Sequence, residues 1–215
     1  MDITYLGHSS FKLRGKNATL ITDPYDPETV GLKFPRNSEA DVVTVSHDHK
    51  DHNAVEVVSG SPFVVSGPGE YEIKGVSIIG VATFHDAENG KERGKNTAFR
   101  IEMDGVRFAH LGDVGHILTS QQMDVLDGVD VLFVPVGGLY TIDAKTAAMV
   151  TSDIEPHIVI PMHYASAAIT KSLADSLQPV SEFLKAMNKE VALPVSKLAV
   201  SKDKLPVELQ VVIME

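Results

Sequence analysis

Short apolar runs separated by turns fill the N-terminal part of the chain. Residues 3–6 and 11–13 alternate between apolar and polar positions, and residues 18–22 follow a turn at residues 14–17. Runs of this length, bounded by Gly and Asn, predict three β-strands. Residues 42–45 instead form a continuous apolar run, which is typical of a strand covered on both faces.

Further along the chain, the pattern changes from a succession of strands to alternating strands and helices. Residues 26–40 are rich in Pro, Gly and charge and predict an exposed loop, and Asn53 is predicted to cap a helix over residues 54–59. Further strands are predicted at residues 63–65, 76–83, 98–102, 106–110, 131–134, 157–160 and 209–213, and helices at residues 121–126, 143–154 and, as one helix or two, 169–190. This order predicts the α/β (or α+β) class, a sandwich with helices outside. Since no linker interrupts the pattern, we expect one domain over residues 1–215.

Composition excludes several kinds of site and partner. The chain has no cysteine, which excludes disulfides, thiolate zinc fingers, iron–sulfur clusters and a cysteine nucleophile. A net charge of −10 would repel a polyanion, so we expect no nucleic acid as a partner. The N-terminus lacks the pattern of a signal peptide, and the longest apolar run, residues 131–136, is too short to span a bilayer. These features predict a cytoplasmic protein without a membrane partner, and they are compatible with a homo-oligomer.

The most informative stretch is SHDHKDHN, at residues 46–53, directly after the buried strand at residues 42–45. It holds three of the nine histidines of the chain. His47 and His49 lie two positions apart in an extended segment, so both rings can face one point. Asp51 and His52 follow in a turn, where they can face a second point. Imidazole and carboxylate groups are ligands of a zinc-like ion, and the alternative is a solvated, histidine-rich surface loop.

The spacing His-x-His-x-Asp-His after an apolar strand resembles the defining motif of the metallo-β-lactamase fold superfamily. The opening ITYLGHSSFKL and LITDPY resemble the branch that includes ascorbate-6-phosphate lactonase-like proteins and N-acylphosphatidylethanolamine phospholipase D. The segments GPGEYEIKGV, HLGDVGHIL, VPVGGLYTID and IPMHY are similar to a subgroup described as predicted zinc-dependent hydrolases. This resemblance implies a four-layer αββα sandwich with a metal site at one edge of its two sheets.

The resemblance also implies the metal ligands. The first metal would take His47, His49 and His85, the second would take Asp51, His52 and His163, and Asp113 would bridge the two. His110 and His116 compete with His85 for its place, although His110 is expected to be packed behind the ligands and His116 to line the pocket or lie on the surface.

Three further residues have open roles. His8 is either a surface turn residue or a neighbour of the metals, and Glu70 is either a turn residue or a carboxylate of the pocket. Asp23 ends a predicted strand and is expected to accept a hydrogen bond from a ligating histidine. Gly137 and Gly138 are predicted as turn residues that also allow a close approach of the substrate.

Together these features predict a metal-dependent hydrolase with one or two divalent ions, zinc first and manganese or iron as alternatives. A metal-bound hydroxide would attack a small-molecule ester, lactone or phosphodiester, and Asp51 or Asp113 would orient it and relay its proton. The alternatives are a di-iron redox protein and a non-catalytic metal-binding protein of the same fold.

Overall fold

Within residues 1–190 and 193–215, which the computed structural model describes, thirteen strands form two sheets that pack face to face. The six-stranded sheet has the order β12 (Lys197–Ala199), β1 (Asp2–Gly7), β2 (Ser10–Arg14), β3 (Thr19–Thr22), β4 (Val42–Val45) and β5 (Phe63–Ser66). The seven-stranded sheet has the order β13 (Gln210–Val211), β11 (Ile158–Met162), β10 (Val131–Pro135), β9 (Val106–His110), β8 (Lys95–Met103), β7 (Val76–Phe84) and β6 (Gly69–Ile73).

The alternation of side chains along each strand supplies two separate apolar layers. In β10, Val131 and Phe133 face the six-stranded sheet, whereas Leu132 and Val134 face the helices. All four side chains are fully buried. This explains why the continuous apolar runs of β4 and β10 belong to central strands, since both of their faces are covered.

Helices and short helical turns cover the outer faces of both sheets. The helices α2 (Ser120–Leu126), α3 (Ala144–Ile154) and α5 (Val180–Ala186) cover the seven-stranded sheet. The short helices α1 (Pro27–Val30) and α4 (Lys171–Ala174) cover the six-stranded sheet, together with irregular segments. The predicted four-layer α/β sandwich is therefore confirmed, although one outer layer contains little regular helix.

Two local predictions are wrong. The helix predicted over residues 54–59 is only a 3₁₀ turn at Val55–Val57, and Asn53 does not cap it because its side-chain amide donates to the Asp48 carboxylate. The loop predicted over residues 26–40 contains α1, whose first turn is capped by Asp26 and whose Val30 is buried. The strands β6 and β12 were not predicted.

Strand direction brings the ends of six strands to one edge of the sandwich. In the six-stranded sheet β1, β3 and β4 run in the same direction, because β1 and β3 are both antiparallel to β2 and β4 is parallel to β3. In the seven-stranded sheet β7, β9 and β11 also run in one direction, because β7 and β9 are both antiparallel to β8, and β9, β10 and β11 are parallel to one another. The residues that follow these six strands meet at one edge, and a rigid scaffold holds them there. No helix in the described part of the chain is long and apolar enough to cross a membrane.

Candidate metal centre

A first group of potential ligands contains His47, His49 and His85. His47 and His49 follow β4, and His85 follows β7. One nitrogen from each ring lies within 4.8 Å of one nitrogen of both others. His47 and His85 are buried and His49 is exposed, so the group is open to solvent on one side. The structure thus brings His85, and neither of its two competitors, to His47 and His49.

A second group contains Asp51, His52, His163 and also His8. The Nε2 atom of His8 lies 3.3 Å from Oδ2 of Asp51. The backbone N–H of His163 donates to the carbonyl oxygen of His8 at 3.3 Å, so the turn after β1 and the end of β11 are joined directly. His8 is 2 % exposed. It is therefore a buried member of the cluster and not a surface turn residue.

Asp113 lies between the two groups. Its Oδ2 atom is 3.1 Å from Nε2 of His163, 3.3 Å from Nε2 of His52, 3.3 Å from Nε2 of His85 and 3.9 Å from Nε2 of His47. One oxygen atom is thus close to ligands of both groups. The backbone N–H of Asp113 donates to Oδ1 of Asn96 at 3.0 Å, which fixes the loop that carries the carboxylate.

The cluster contains buried polar atoms that a metal ion would satisfy. Among the described residues, Nε2 of His47, Nε2 of His52 and Oδ1 of Asp113 are buried and have no hydrogen-bond partner. Burying such groups without partners costs free energy, so their convergence on one volume indicates that a further group belongs there. Imidazole nitrogens and carboxylate oxygens fit a divalent ion such as zinc, and they also suit manganese or iron.

Asp23 braces one ligand in each group. Its Oδ2 atom accepts from Nδ1 of His52 at 2.8 Å and from the hydroxyl of Ser46 at 2.6 Å. Because that hydroxyl donates to Asp23, its oxygen accepts from Nδ1 of His47 at 2.9 Å. These bonds place a proton on Nδ1 of both rings, so that Nε2 of each is the nitrogen available to a metal ion, as metal ligation requires. The sequence indicated the role of Asp23 but not that of Ser46, which directly precedes His47.

Three residues of the cluster and its support have a strained backbone conformation. His8, Asp23 and His163 have positive φ angles of 54°, 37° and 53°. Residues other than Gly rarely adopt this conformation, and where they do the surrounding structure must hold them. The turns after β1, β3 and β11 are thus shaped by the positions that these three side chains must reach.

The pKa values of the buried histidines depend on their neighbours. Burial lowers the pKa of His8 to about 4 and that of His47 to about 3. Burial alone would also lower the pKa of His52, but the carboxylates of Asp113 and Asp51 raise it well above its usual range. A pKa below the unfolded-state value means that acid favours the unfolded chain. His8 and His47 therefore make the metal-free fold less stable as the pH falls below about 6.5.

His110, His116 and Glu70, which the sequence left as candidate ligands or pocket residues, lie outside both groups. His110 donates from Nε2 to the carbonyl oxygen of Ser9 at 2.9 Å and accepts from the N–H of Gly112 at 3.2 Å, so both ring nitrogens are occupied. His116 accepts from the N–H of Phe84 and also bonds the carbonyl oxygen of Ile117. Glu70 is exposed on β6, at the edge of the seven-stranded sheet.

Two glycines let the ligand-bearing loops pack closely. A side chain at Gly115 would lie 2.5 Å from the backbone of His85 and Asp86. A side chain at Gly137 would overlap the carbonyl oxygen of His163. Gly137 is therefore required for close packing against the backbone of His163, while the close approach of a substrate to Gly137 and Gly138 stays a prediction.

The chain is similar to known proteins over most of its length. Residues 2–163 match the family described as Beta-lactamase superfamily domain. A UPF0173 metal-dependent hydrolase of Staphylothermus marinus is 32% identical over 188 residues, covering 75% of this chain and 82% of that protein. One from Thermococcus onnurineus is 29% identical over 189 residues, covering 76% and 84%.

A solved structure extends the similarity to the fold. The Thermotoga maritima protein, described as a candidate Zn-dependent hydrolase of the metallo-β-lactamase superfamily, is 41% identical. It superposes with a TM-score of 0.81, covering 99% of this chain and 97% of its own. The chain therefore belongs to the β-lactamase superfamily and, within it, to the UPF0173 metal-dependent hydrolases.

Proposed function

We propose that this metal-dependent hydrolase binds two zinc ions and cleaves an ester, lactone or phosphodiester bond of a small molecule. The observation that carries the proposal is the position of Asp113 Oδ2, within 3.9 Å of Nε2 atoms from both groups. One carboxylate that lies close to two neighbouring sets of ligands is suited to hold two ions side by side in a dinuclear centre.

The proposed ligands follow the two groups. His47, His49 and His85 would hold the first ion, and His8, Asp51, His52 and His163 would hold the second, with Asp113 shared between them. His8 is an addition to the ligands inferred by resemblance, and it rests on the 3.3 Å distance between its Nε2 atom and Asp51.

The two carboxylates of the centre differ in what they can do. When bound, the ions would supply a water molecule of lowered pKa and polarise the bond to be cleaved. Burial would raise the pKa of Asp51, but His52 and His8 hold it well below its usual range. The Asp51 side chain is 20% exposed and that of Asp113 is 2% exposed. We assign proton transfer to Asp51 Oδ2, since its side chain reaches solvent, and we assign to Asp113 the joining of the two groups.

Metal analysis combined with an Asp113→Asn variant tests the proposal. Protein stripped with a chelator would be reloaded with zinc, manganese or iron and assayed on lactone, carboxylic ester, thioester and phosphodiester substrates. We expect two ions per wild-type chain and one tightly bound ion in Asp113→Asn. Turnover of the variant should fall by about a thousandfold, which corresponds to about 4 kcal/mol of lost transition-state stabilisation.

Asp124→Asn is a suitable control, because Asp124 is an exposed carboxylate of α2 outside the cluster. It should retain both ions and full turnover. Wild-type turnover in Asp113→Asn would show that Asp113 does not join the two groups. Iron-dependent redox activity without hydrolysis, or metal binding without any turnover, would favour the two alternative functions.

A further inference from the structure

A cleft of about 870 Å³ opens beside the first group and reaches His47 and His49. Its volume is within the usual range for sites that bind small molecules, and such sites are mostly apolar with a few polar groups that orient the ligand. The apolar part of the lining consists of Val45, Val55, Val64, Pro68, Ala82 and Phe84. The cleft could therefore bury an apolar part of a molecule whose reactive bond lies at the first group.

Two cationic residues, Arg93 and Lys95, and one carboxylate, Asp48, line the same cleft, and Asp48 accepts a hydrogen bond from the side chain of Asn53. The two cations stand out in a chain whose net charge is −10. Within the part of the chain that the structure describes, no carboxylate lies within 4.0 Å of the Lys95 ammonium group, and Arg93 pairs only with exposed Glu92, at 3.1 Å. The Arg93 guanidinium also lies over the Tyr140 ring, 5.7 Å from its centroid. Neither cation is neutralised by a buried carboxylate, so both can attract an anion.

The loop that carries Arg93 has a defined conformation. The carboxylate of Asp86 accepts hydrogen bonds from the backbone N–H groups of four residues of this loop, at 2.8–3.0 Å: Glu88, Gly90, Glu92 and Arg93. The N–H of His85 donates to the carbonyl oxygen of Gly94 at 3.0 Å. The backbone at Arg93 is thus fixed next to a ligand of the first group, where a bound anion can be oriented at low entropic cost.

We propose that the substrate is an amphipathic anion, whose apolar group occupies this cleft and whose anionic group pairs with Arg93 and Lys95. The proposal rests on the hydrolase function given above and names the substrate class of that site. The apolar lining provides affinity in proportion to the area buried, and the two cations orient the molecule so that its hydrolysable bond faces the first group.

Calorimetric titration of the zinc-loaded protein with inorganic phosphate, butyl phosphate and octyl phosphate tests the two parts separately. We expect octyl phosphate to bind about tenfold or more tightly than butyl phosphate, because each buried methylene adds up to about fourfold in affinity. The double variant Arg93→Gln/Lys95→Gln should weaken all three ligands by about tenfold or more.

Two further variants make the result specific. Lys91→Gln removes an exposed charge from the same loop but outside the cleft, and it should leave all three affinities unchanged. Val64 is 41% exposed on the edge strand β5, so Val64→Ser should fold normally and reduce only the advantage of octyl over butyl phosphate.

Equal affinities of the double variant and the wild type for octyl phosphate would overturn the role of the cations. Equal affinities for butyl and octyl phosphate would overturn the role of the apolar lining. Binding as expected, combined with no hydrolysis in the substrate screen, would contradict the proposed function and leave the cleft assignment intact. Hydrolysis without the expected binding pattern would contradict the assignment of the cleft and leave the proposed function intact.

Discussion

Asp23→Asn should weaken both metal positions with a single substitution. In the wild type, Oδ2 of Asp23 accepts from Nδ1 of His52 and from the hydroxyl of Ser46, which in turn accepts from His47. If the side-chain amide nitrogen of Asn takes the place of Oδ2, it cannot accept either hydrogen bond. The Ser46 hydroxyl would then donate to Nδ1 of His47, which places the proton of that ring on Nε2, the atom that must bind the ion.

The size of the effect follows from the number of bonds. Two hydrogen bonds to a buried carboxylate are lost, and such bonds contribute about 1.5–3 kcal/mol each. Part of this loss is offset, because the variant no longer buries a carboxylate that is fully shielded from solvent. Loss of groups that orient metal ligands typically costs about 10–100-fold in affinity. We expect a decrease in this range at both positions.

Competition with a chromophoric chelator at neutral pH measures the two affinities. Ser46→Ala should weaken only the first ion, because His52 keeps its bond to Asp23. Asp130→Asn is the matched control: Asp130 is 2% exposed and accepts from the N–H of Arg107 and from Lys202, away from the cluster. It should lower the free energy of unfolding and leave both affinities unchanged. Wild-type affinity for both ions in Asp23→Asn would refute the bracing role.

Three other results are expected. Burial lowers the pKa of His8 to about 4 and that of His47 to about 3, so the free energy of unfolding of metal-free protein should fall by on the order of a few kcal/mol between pH 7 and pH 4, partly offset by His52, whose pKa is raised. A flat profile in urea denaturation would show that the His8 and His47 rings are not buried in the neutral form. His8→Ala should weaken the second ion by tenfold or more and spare the first, as measured by chelator competition. Gly137→Ala should displace His163, lower the free energy of unfolding by about 1–3 kcal/mol in a denaturant melt and weaken binding of the second ion. An unchanged free energy of unfolding together with an unchanged affinity for that ion would contradict the close packing.

The strands and the histidine-rich segment at residues 46–53 could be predicted because their signals are local, whereas His85, Asp113 and His163 were implied by the resemblance to a family. The apolar runs of β4 and β11 and the polar residues directly after them show where these strands end and where candidate ligands lie. What could not be predicted depends on contacts between distant segments. His8 looks like any turn histidine until the backbone of His163 bonds to it, and the role of Gly137 depends on the same partner.

Short elements escaped prediction for a different reason. The helix α1 has only four residues, so no helical period can be recognised, and it depends on its Asp26 cap and on Gly31 at its end. The helix predicted after Asn53 had a suitable capping residue, but Asp48 competes for that side chain. Local capping signals are therefore weak where other polar side chains are near.

His52 has a consequence for how the protein acquires its ions. In the metal-free form its raised pKa places an imidazolium among the carboxylates of Asp23, Asp51 and Asp113. This proton neutralises part of the negative charge that an ion would otherwise balance, which lowers the repulsion between the carboxylates of the empty form. Loading then exchanges a proton for a metal ion. Uptake of metal by the empty protein should therefore release a proton, which a pH indicator in weakly buffered solution would detect.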